Sequence, residues 1–202
     1  MSIPAPRSDR YLHFAAPAGY DDPVGMLQGC HRRIEKKLAT LRTLCKHLTA
    51  NGIGAEASVA AQAVLRYFNT AAAYHHEDEE NDLMPILDRR VSDASDLARL
   101  QALEARMHED HREIERVWAR LRKPLEGIAD GLMRTIPETD VQALASLYKR
   151  HIEAEETVLL PLARRWMTPQ DLAELGRAMA ARRGAELVGV RGFEPPASTS
   201  RT

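Results

Sequence analysis

One arrangement of residues occurs twice in this chain, and its recurrence limits what the chain can fold into. His75, Glu79 and Pro85 return as His151, Glu155 and Pro161, 76 residues later, with Glu80 and Glu156 in the same frame. A histidine and a glutamate four residues apart lie one above the other on a helix, because 3.6 residues make a turn. Their side chains can then converge on one point beside the helix. A second block, His31-Arg32-Arg33-Ile34-Glu35 leading to Ala39, Leu41 and Arg42, returns 80 residues later as His111-Arg112-Glu113-Ile114-Glu115 leading to Ala119, Leu121 and Arg122. The chain therefore reads as a duplicated helix pair. Each copy carries one histidine on its first helix and a His-Glu pair on its second, so two copies folded face to face bring four imidazoles and two carboxylates into one core.

The rest of the chain agrees with an all-α class. Aromatic residues are 5% of the 202, no alternating Val, Ile or Thr run signals a sheet, and the length suits one domain with a real core. Asp22-Pro23 is a helix start, with Asp as N-cap and Pro at the first helical position. Leu27, Ile34, Leu38, Leu41, Leu44 and Leu48 then recur at helical spacing with His31 among them, until Asn51-Gly52-Ile53-Gly54 stops the helix. A second helix begins near Ala57 and presents Val64, Leu65, Phe68, Ala72 and His75. Pro85 ends or kinks it, and Ile86 and Leu87 fit a resumed helical path. Ser92 to Ser95 offers caps for a third helix through Leu97, Leu100, Leu103, Met107, His111, Ile114, Trp118 and Leu121, whose end Pro124 and Gly127 frame. Thr135 with Glu138, or Thr139 with Gln142, starts a fourth that carries Val141, Leu144, Leu147, His151, Glu155, Val158 and Leu159. Four long helices with short connections predict an up-down-up-down four-helix bundle over residues 21–167. Residues 1–20 are expected to form an N-terminal arm that Tyr11, Leu12 and Phe14 could pack on the bundle. Thr168-Pro169-Gln170-Asp171 opens a short extra helix over 168–184, and 185–202 reads as a disordered tail.

Composition removes several function classes. A net charge of −1 gives no electrostatic case for nucleic acid or an anionic membrane. No apolar run reaches the ~18 residues of a membrane span. Met1 to Arg10 is polar and lacks the apolar core of a secretory signal. Cys30 and Cys45 fall on one predicted helix, roughly 22 Å apart by helical rise, beyond disulfide reach. Two reduced thiols point to a cytoplasmic protein.

His31, His75, His111 and His151 each lie in an apolar stripe, and Glu79 and Glu155 lie one turn beyond their histidines. Buried without compensation, each unpaired charge would cost several kcal/mol, against a total stability of about 5–15 kcal/mol. A metal centre removes that cost by making the side chains ligands. Six ligands are too many for one tetrahedral zinc. They suit two ions, each with two histidines, bridged by the two glutamates. The nitrogen and oxygen donors favour iron, with manganese or zinc also fitting. The bland alternative is an ordinary bundle with polar residues near its ends; the twice-repeated frame argues against it.

These residues resemble a hemerythrin-like, or HHE cation-binding, domain: His31, His75-His76-x-x-Glu79 running to Leu83-x-Pro85, His111, and His151-x-x-x-Glu155 running to Leu160-Pro161, over roughly Asp22 to Met167. The resemblance implies two iron ions in a non-haem di-iron centre, oxo- or hydroxo-bridged when oxidised, able to take O₂, NO or peroxide. It implies His31 and His75 on one iron, His111 and His151 on the other, and Glu79 and Glu155 bridging. Two features depart from the oxygen carriers of that family, which have two histidines four apart on the third helix and an Asp one residue further along the fourth. Here His108 and His111 are three apart, so His108 is a further candidate ligand, and Glu155 stands at the bridge.

Neighbouring residues are assigned blander roles. His76 lies about 100° round the helix from His75 and reads as a surface residue or a support for the ligands. Glu80 and Glu156 read as surface carboxylates or as acceptors for an imidazole N–H. Tyr74, Tyr148 and Trp118 read as packing, His13 and His47 as solvated, and Arg89-Arg90 and Arg182-Arg183 as solvated helix ends. Three functions compete: a protein that binds or senses O₂, NO or iron; a di-iron redox enzyme handling peroxide or NO, or delivering iron for iron–sulfur cluster repair; and an interaction module with a structural metal. A His-rich, carboxylate-poor donor set favours the first. The sequence names no protein partner.

Overall fold

The structure is a computed structural model that describes residues 19–185. The expected arm and tail lie outside these residues but for Gly19, Tyr20 and Ala185. All regular elements among the described residues are helical: α1 (Pro23–Asn51), α2 (Ala55–Phe68), α3 (Ala71–Asp78), α4 (Met84–Arg90), α5 (Ala94–Ala129), α6 (Glu138–Ala154), α7 (Leu160–Trp166) and α8 (Pro169–Arg182). A π-helical turn, Glu79–Leu83, joins α3 to α4, and a second, Glu155–Leu159, joins α6 to α7. No helix among the described residues is long and apolar enough to cross a membrane.

Local chemistry sets most of the ends. The Asp22 carboxylate accepts from the Gly25 N–H at 2.9 Å, and Gly52, at φ 74°, closes α1 in the left-handed region. Asp93 accepts from the N–H groups of Ser95 and Asp96. Thr168 and Asp171 form a reciprocal capping box on α8.

The two π turns have a common cause. Pro85 and Pro161 carry no N–H, and each ring crowds the carbonyl four residues back. The ladder widens by one residue instead of breaking, so the Met84 N–H bonds the Glu79 carbonyl and the Leu160 N–H bonds the Glu155 carbonyl. The resumed path expected at Ile86 and Leu87 is present as α4, with both side chains buried.

Three other expectations need correction. The second helical stretch starts at Ala55 and is interrupted at Asn69–Thr70. Pro124 does not end α5, which continues to Ala129 because Leu125 and Ile128 are fully buried there and hold the last turn to the core. Neither Thr135 nor Thr139 caps the next helix: α6 begins at Glu138 after Pro137, with no side-chain cap bond.

α1 packs against α2 and α6, and α5 packs against the same two, so the four close a ring. The buried apolar residues fall into two clusters. One holds Ile34, Ala72, Ile114 and Tyr148; the other holds Leu27, Leu83, Met107 and Leu159. On α1, on α3 with its π turn, on α5 and on α6 with its π turn, the conspicuous histidine sits between them: Leu27, His31, Ile34; Ala72, His75, Leu83; Met107, His111, Ile114; Tyr148, His151, Leu159. The order of clusters alternates from one helix to the next.

α8 lies on α1, α3 and the first π turn. It approaches so closely that a Cβ at Gly176 would stand 2.0 Å from the Tyr20 carbonyl oxygen. Only glycine fits that position.

Candidate metal centre

The polar layer between the two apolar clusters draws one side chain from each of four directions. His31 comes from α1, His75 from α3, His111 from α5 and His151 from α6. Glu79 and Glu155 each open a π turn. All six are buried, none more than 4% exposed. Their donor atoms form two groups of four, His31, His75, Glu79, Glu155 and Glu79, His111, His151, Glu155, with the atoms of each group within 4.8 Å of one another. Both carboxylates belong to both groups.

Most of the atoms approach without an aligned hydrogen bond. His31 Nε2 is 2.9 Å from Glu155 Oε2, His151 Nε2 is 2.7 Å from Glu155 Oε1, and His75 Nε2 is 3.3 Å from Glu79 Oε1. Yet His31 Nε2, His75 Nε2 and all four carboxylate oxygens of Glu79 and Glu155 lack an aligned hydrogen-bond partner among the described residues. His111 Nε2 and His151 Nε2 face each other at 2.9 Å. Buried polar groups ordinarily find partners. Here most of them converge on shared points instead of on each other, which is how ligands of a cation are disposed. The nitrogen and oxygen donor set fits a divalent cation.

The far sides of two imidazoles are fixed by carboxylates. The His31 Nδ1–H donates to Glu156 Oε1 at 3.0 Å, and the His111 Nδ1–H donates to Glu80 Oε1 at 2.5 Å. Of the two roles considered for Glu80 and Glu156, both take the imidazole-bonding one. The partnership crosses the repeat: a glutamate of each copy holds a histidine of the other. His151 Nδ1 has Asp110 Oδ2 only at 3.9 Å, while Asp110 is engaged by Arg150. His75 Nδ1 has no partner among the described residues.

Electrostatics reflects the crowding. Burial alone would lower His31, but contact with Glu155 and the charges of Glu155 and Glu79 outweigh it and raise it to about 9. Burial drives His75 and His76 well below the usual histidine value. Burial, then the neighbouring charge of Glu155, pushes Glu79 well above the carboxylate range. Burial acts on Glu155 the same way, but the surrounding imidazoles, His151 first, hold it well below that range.

His108 does not join either group. It is 48% exposed, with Nδ1 3.2 Å from Glu80 Oε1. Of the two places open to His76, it takes the one beside the ligand candidates, its ring stacked on His111 at 4.0 Å. Tyr148 packs between Phe68 and His76, and Trp118 packs on Phe68 and donates to Asn69 Oδ1. His47 pairs with Asn51 away from the layer, and His13 lies outside the described residues. Cys30 and Cys45 are free thiols.

Arg182 and Arg183 are not solvated helix ends. They are 15% and 16% exposed, and both bond Asp78, which is fully buried next to Glu79. Arg182 also reaches Asp82 at 2.6 Å, and Arg183 lies over the Tyr74 ring. Arg90 likewise bonds Asp171 on α8. A basic pair at a helix end looks the same in sequence whether it meets water or a buried carboxylate 104 residues upstream.

The family model described as hemerythrin HHE cation binding domain matches residues 22–163. The chain belongs to the hemerythrin HHE cation-binding family. The match takes in the whole polar layer and stops before α8. An uncharacterized protein of Haemophilus influenzae (strain ATCC 51907 / DSM 11121 / KW20 / Rd) is similar as well: 28% identical over 166 residues, which cover 82% of this chain and 92% of that relative. A cation-binding domain and a buried His/Glu cluster describe the same layer.

Proposed function

We propose that this HHE protein holds a non-haem di-iron centre and uses it to bind or sense O₂ or NO. His31 and His75 would hold one ion, His111 and His151 the other, and Glu79 and Glu155 would serve both. The observation that carries the reading is the pair of four-residue donor groups that share both carboxylates. The imidazole and carboxylate donors favour iron; manganese and zinc fit the same set. When bound, the metal pair supplies a redox-active site for a small diatomic ligand or peroxide.

The chain's own residues prepare that site. Glu80 and Glu156 accept the Nδ1–H of His111 and His31, which leaves each Nε2 lone pair turned inward. Apolar clusters on both sides of the layer restrict water, so small uncharged molecules enter in preference to ions. The alternating cluster order supports an up-down-up-down bundle of four rods, α1, α2 to α4, α5, and α6 with α7, with α8 added outside. Two free thiols support a reducing compartment, the cytoplasm.

An anaerobic Fe(II) titration with a metal count, followed by O₂, tests the reading. Two irons per chain are expected, with near-ultraviolet bands on exposure to O₂ that are lost in His75→Ala and Glu155→Ala. Bands that reverse when O₂ is removed would support binding or sensing. Irreversible oxidation with turnover of peroxide would move the reading to a redox enzyme. One metal or none per chain, with helix content intact, would sink the site assignment.

A further inference from the structure

The two copies differ just outside the polar layer. Beside Glu79 stand Asp78 and Asp82; 76 residues later, beside Glu155, stand Ala154 and Val158. One copy thus flanks its layer carboxylate with two further carboxylates, and the other flanks it with hydrocarbon. α8 takes the first place. The Arg182 guanidinium spans the π turn: Nη1–H donates to Asp78 ahead of Glu79, and Nη2–H donates to Asp82 Oδ2 behind it at 2.6 Å. Its Nε also lies 3.1 Å from Glu77 Oε2. Arg183 holds Asp78 with two prongs, Nη1 to Oδ1 at 3.1 Å and Nη2 to Oδ2 at 2.5 Å. Leu175 and Met179 of α8 share an apolar cluster with Leu83, the last residue of the turn. The corresponding place beside the second π turn is an open groove of about 540 Å³, with Leu103, Arg106, Ala154 and Val158 in its lining.

The inner contacts differ in the same sense. Glu155 has imidazole nitrogens at 2.7 and 2.9 Å, whereas those nearest Glu79 stand at 3.3 and 3.5 Å. Glu79 is held less closely from within the layer, and its turn is gripped from outside. The planar fork of an arginine fixes two acceptors in one geometry, which suits it to that task.

We propose that Arg182 and Arg183 are positioning residues for Glu79, so that the docking of α8 and the binding of metal are coupled. The inference rests on the metal reading above and deepens it. α8 lies beyond residues 22–163 of the family match, so the coupling reaches outside the matched domain. With α8 seated, the π turn presents the Glu79 carboxylate to the layer. With α8 released, Asp78 and Asp82 lose their cations, and the turn relaxes toward water and carries Glu79 with it. Metal then tightens α8 by the same factor by which α8 tightens metal, because coupling between two equilibria is reciprocal.

The test is an anaerobic Co(II) titration of the full chain against a competing chelator. It compares wild type, Arg182→Gln/Arg183→Gln, and Leu125→Ala, a core truncation in the other apolar cluster. Circular dichroism checks that each folds. The double variant should bind ~10-fold more weakly, since outer partners of a ligand are worth 10–100-fold, while folded Leu125→Ala keeps its affinity. Removing two positive charges would by itself strengthen cation binding, so the sign of the change separates positioning from charge. Hydrogen exchange of wild type gives the reciprocal readout, whether or not the double variant folds. Amides of residues 169–182 that open locally should exchange ~10-fold more slowly once Co(II) is bound. Unchanged or raised affinity in the folded double variant, or α8 exchange indifferent to metal in wild type, would overturn the proposal and leave the arginines as partners of a buried carboxylate alone. If folded wild type takes up neither Co(II) nor Fe(II), the metal reading falls and this inference with it; uptake with α8 indifferent sinks the inference alone.

Discussion

The Nδ1–H of His31 donates to Oε1 of Glu156 at 3.0 Å across 125 residues of chain, and His111 stands in the same relation to Glu80. Each glutamate directly follows a buried carboxylate of the polar layer, so one short stretch supplies both a candidate metal donor and the acceptor for an imidazole of the other copy. Glu80 and Glu156 are themselves about one-third exposed. Removing either should therefore cost the metal-free fold about 1 kcal/mol or less. It should cost metal affinity roughly 10–100-fold, because the imidazole loses the partner that fixes its tautomer. Glu156→Ala and Glu80→Ala titrated against a competing chelator, with melting curves of the metal-free proteins alongside, measure both effects. Unchanged affinity in both would show that the bonds do not orient the ligands.

Metal should stabilise the chain strongly. The layer holds six buried side chains, and the inward atoms of four of them, His31, His75, Glu79 and Glu155, lack aligned partners among the described residues. A cation that binds the folded state alone adds about 2.7 kcal/mol at a hundredfold excess over Kd. For a chain of this size that corresponds to a rise in Tm on the order of 5–10 °C. Scanning calorimetry with and without Fe(II) or Mn(II), and again after a chelator, reads it. A Tm indifferent to every divalent cation would count against a cation site in this layer.

How much of this was legible in the sequence follows from what each signal depends on. The convergence of His31, His75, Glu79, His111, His151 and Glu155 could be read because two offsets, 76 and 80, carry the same residues at helical spacing. The π turns could not, since a period of 3.6 assumes an unbroken ladder and only the prolines hint at widening. For His76 the angle left two places open, surface or support for the ligands, because about 100° of rotation takes a side chain off a stripe; the rings of His111 and Tyr148 reach across to meet it in the second. The burial of Arg182 and Arg183 depends on Asp78, a contact that no local pattern encodes.

That contact makes α8 part of the fold's energetics. Asp78 is fully buried, and its burial raises its carboxyl above the usual range even with two guanidiniums beside it. Stripping the partners from a buried charge typically costs 3–5 kcal/mol. Arg182→Ala/Arg183→Ala should approach that loss in urea unfolding, and each single variant should lose less because one guanidinium remains. Adding Asp78→Asn to the double variant should restore part of the stability, since an amide is easier to bury than a lone carboxylate. A double variant as stable as wild type would mean that α8 is held by its apolar contacts alone.

The other end of α8 should govern the acid limb of stability. Hydrogen bonding from Arg90 first, then from Thr168, holds the Asp171 carboxyl down to about 2. The Arg90 Nη2–H donates at 2.9 Å, the Thr168 N–H at 2.8 Å and the Thr168 hydroxyl at 2.6 Å. An unfolded aspartate titrates near 3.9, so the folded value is depressed. The stabilisation is then fully present above about pH 4 and disappears as pH falls through the folded value near 2. Protonation removes the charge that Arg90 on α4 and the first turn of α8 share. Asp171→Asn should consequently be less stable than wild type at neutral pH, with the gap closing between roughly pH 4 and pH 2. Because other carboxylates titrate in the same window, the difference between the two proteins in urea is the readout, taken at each pH. A gap that stays constant down to pH 2 would show that Asp171 contributes through its shape in the capping box and not through its charge.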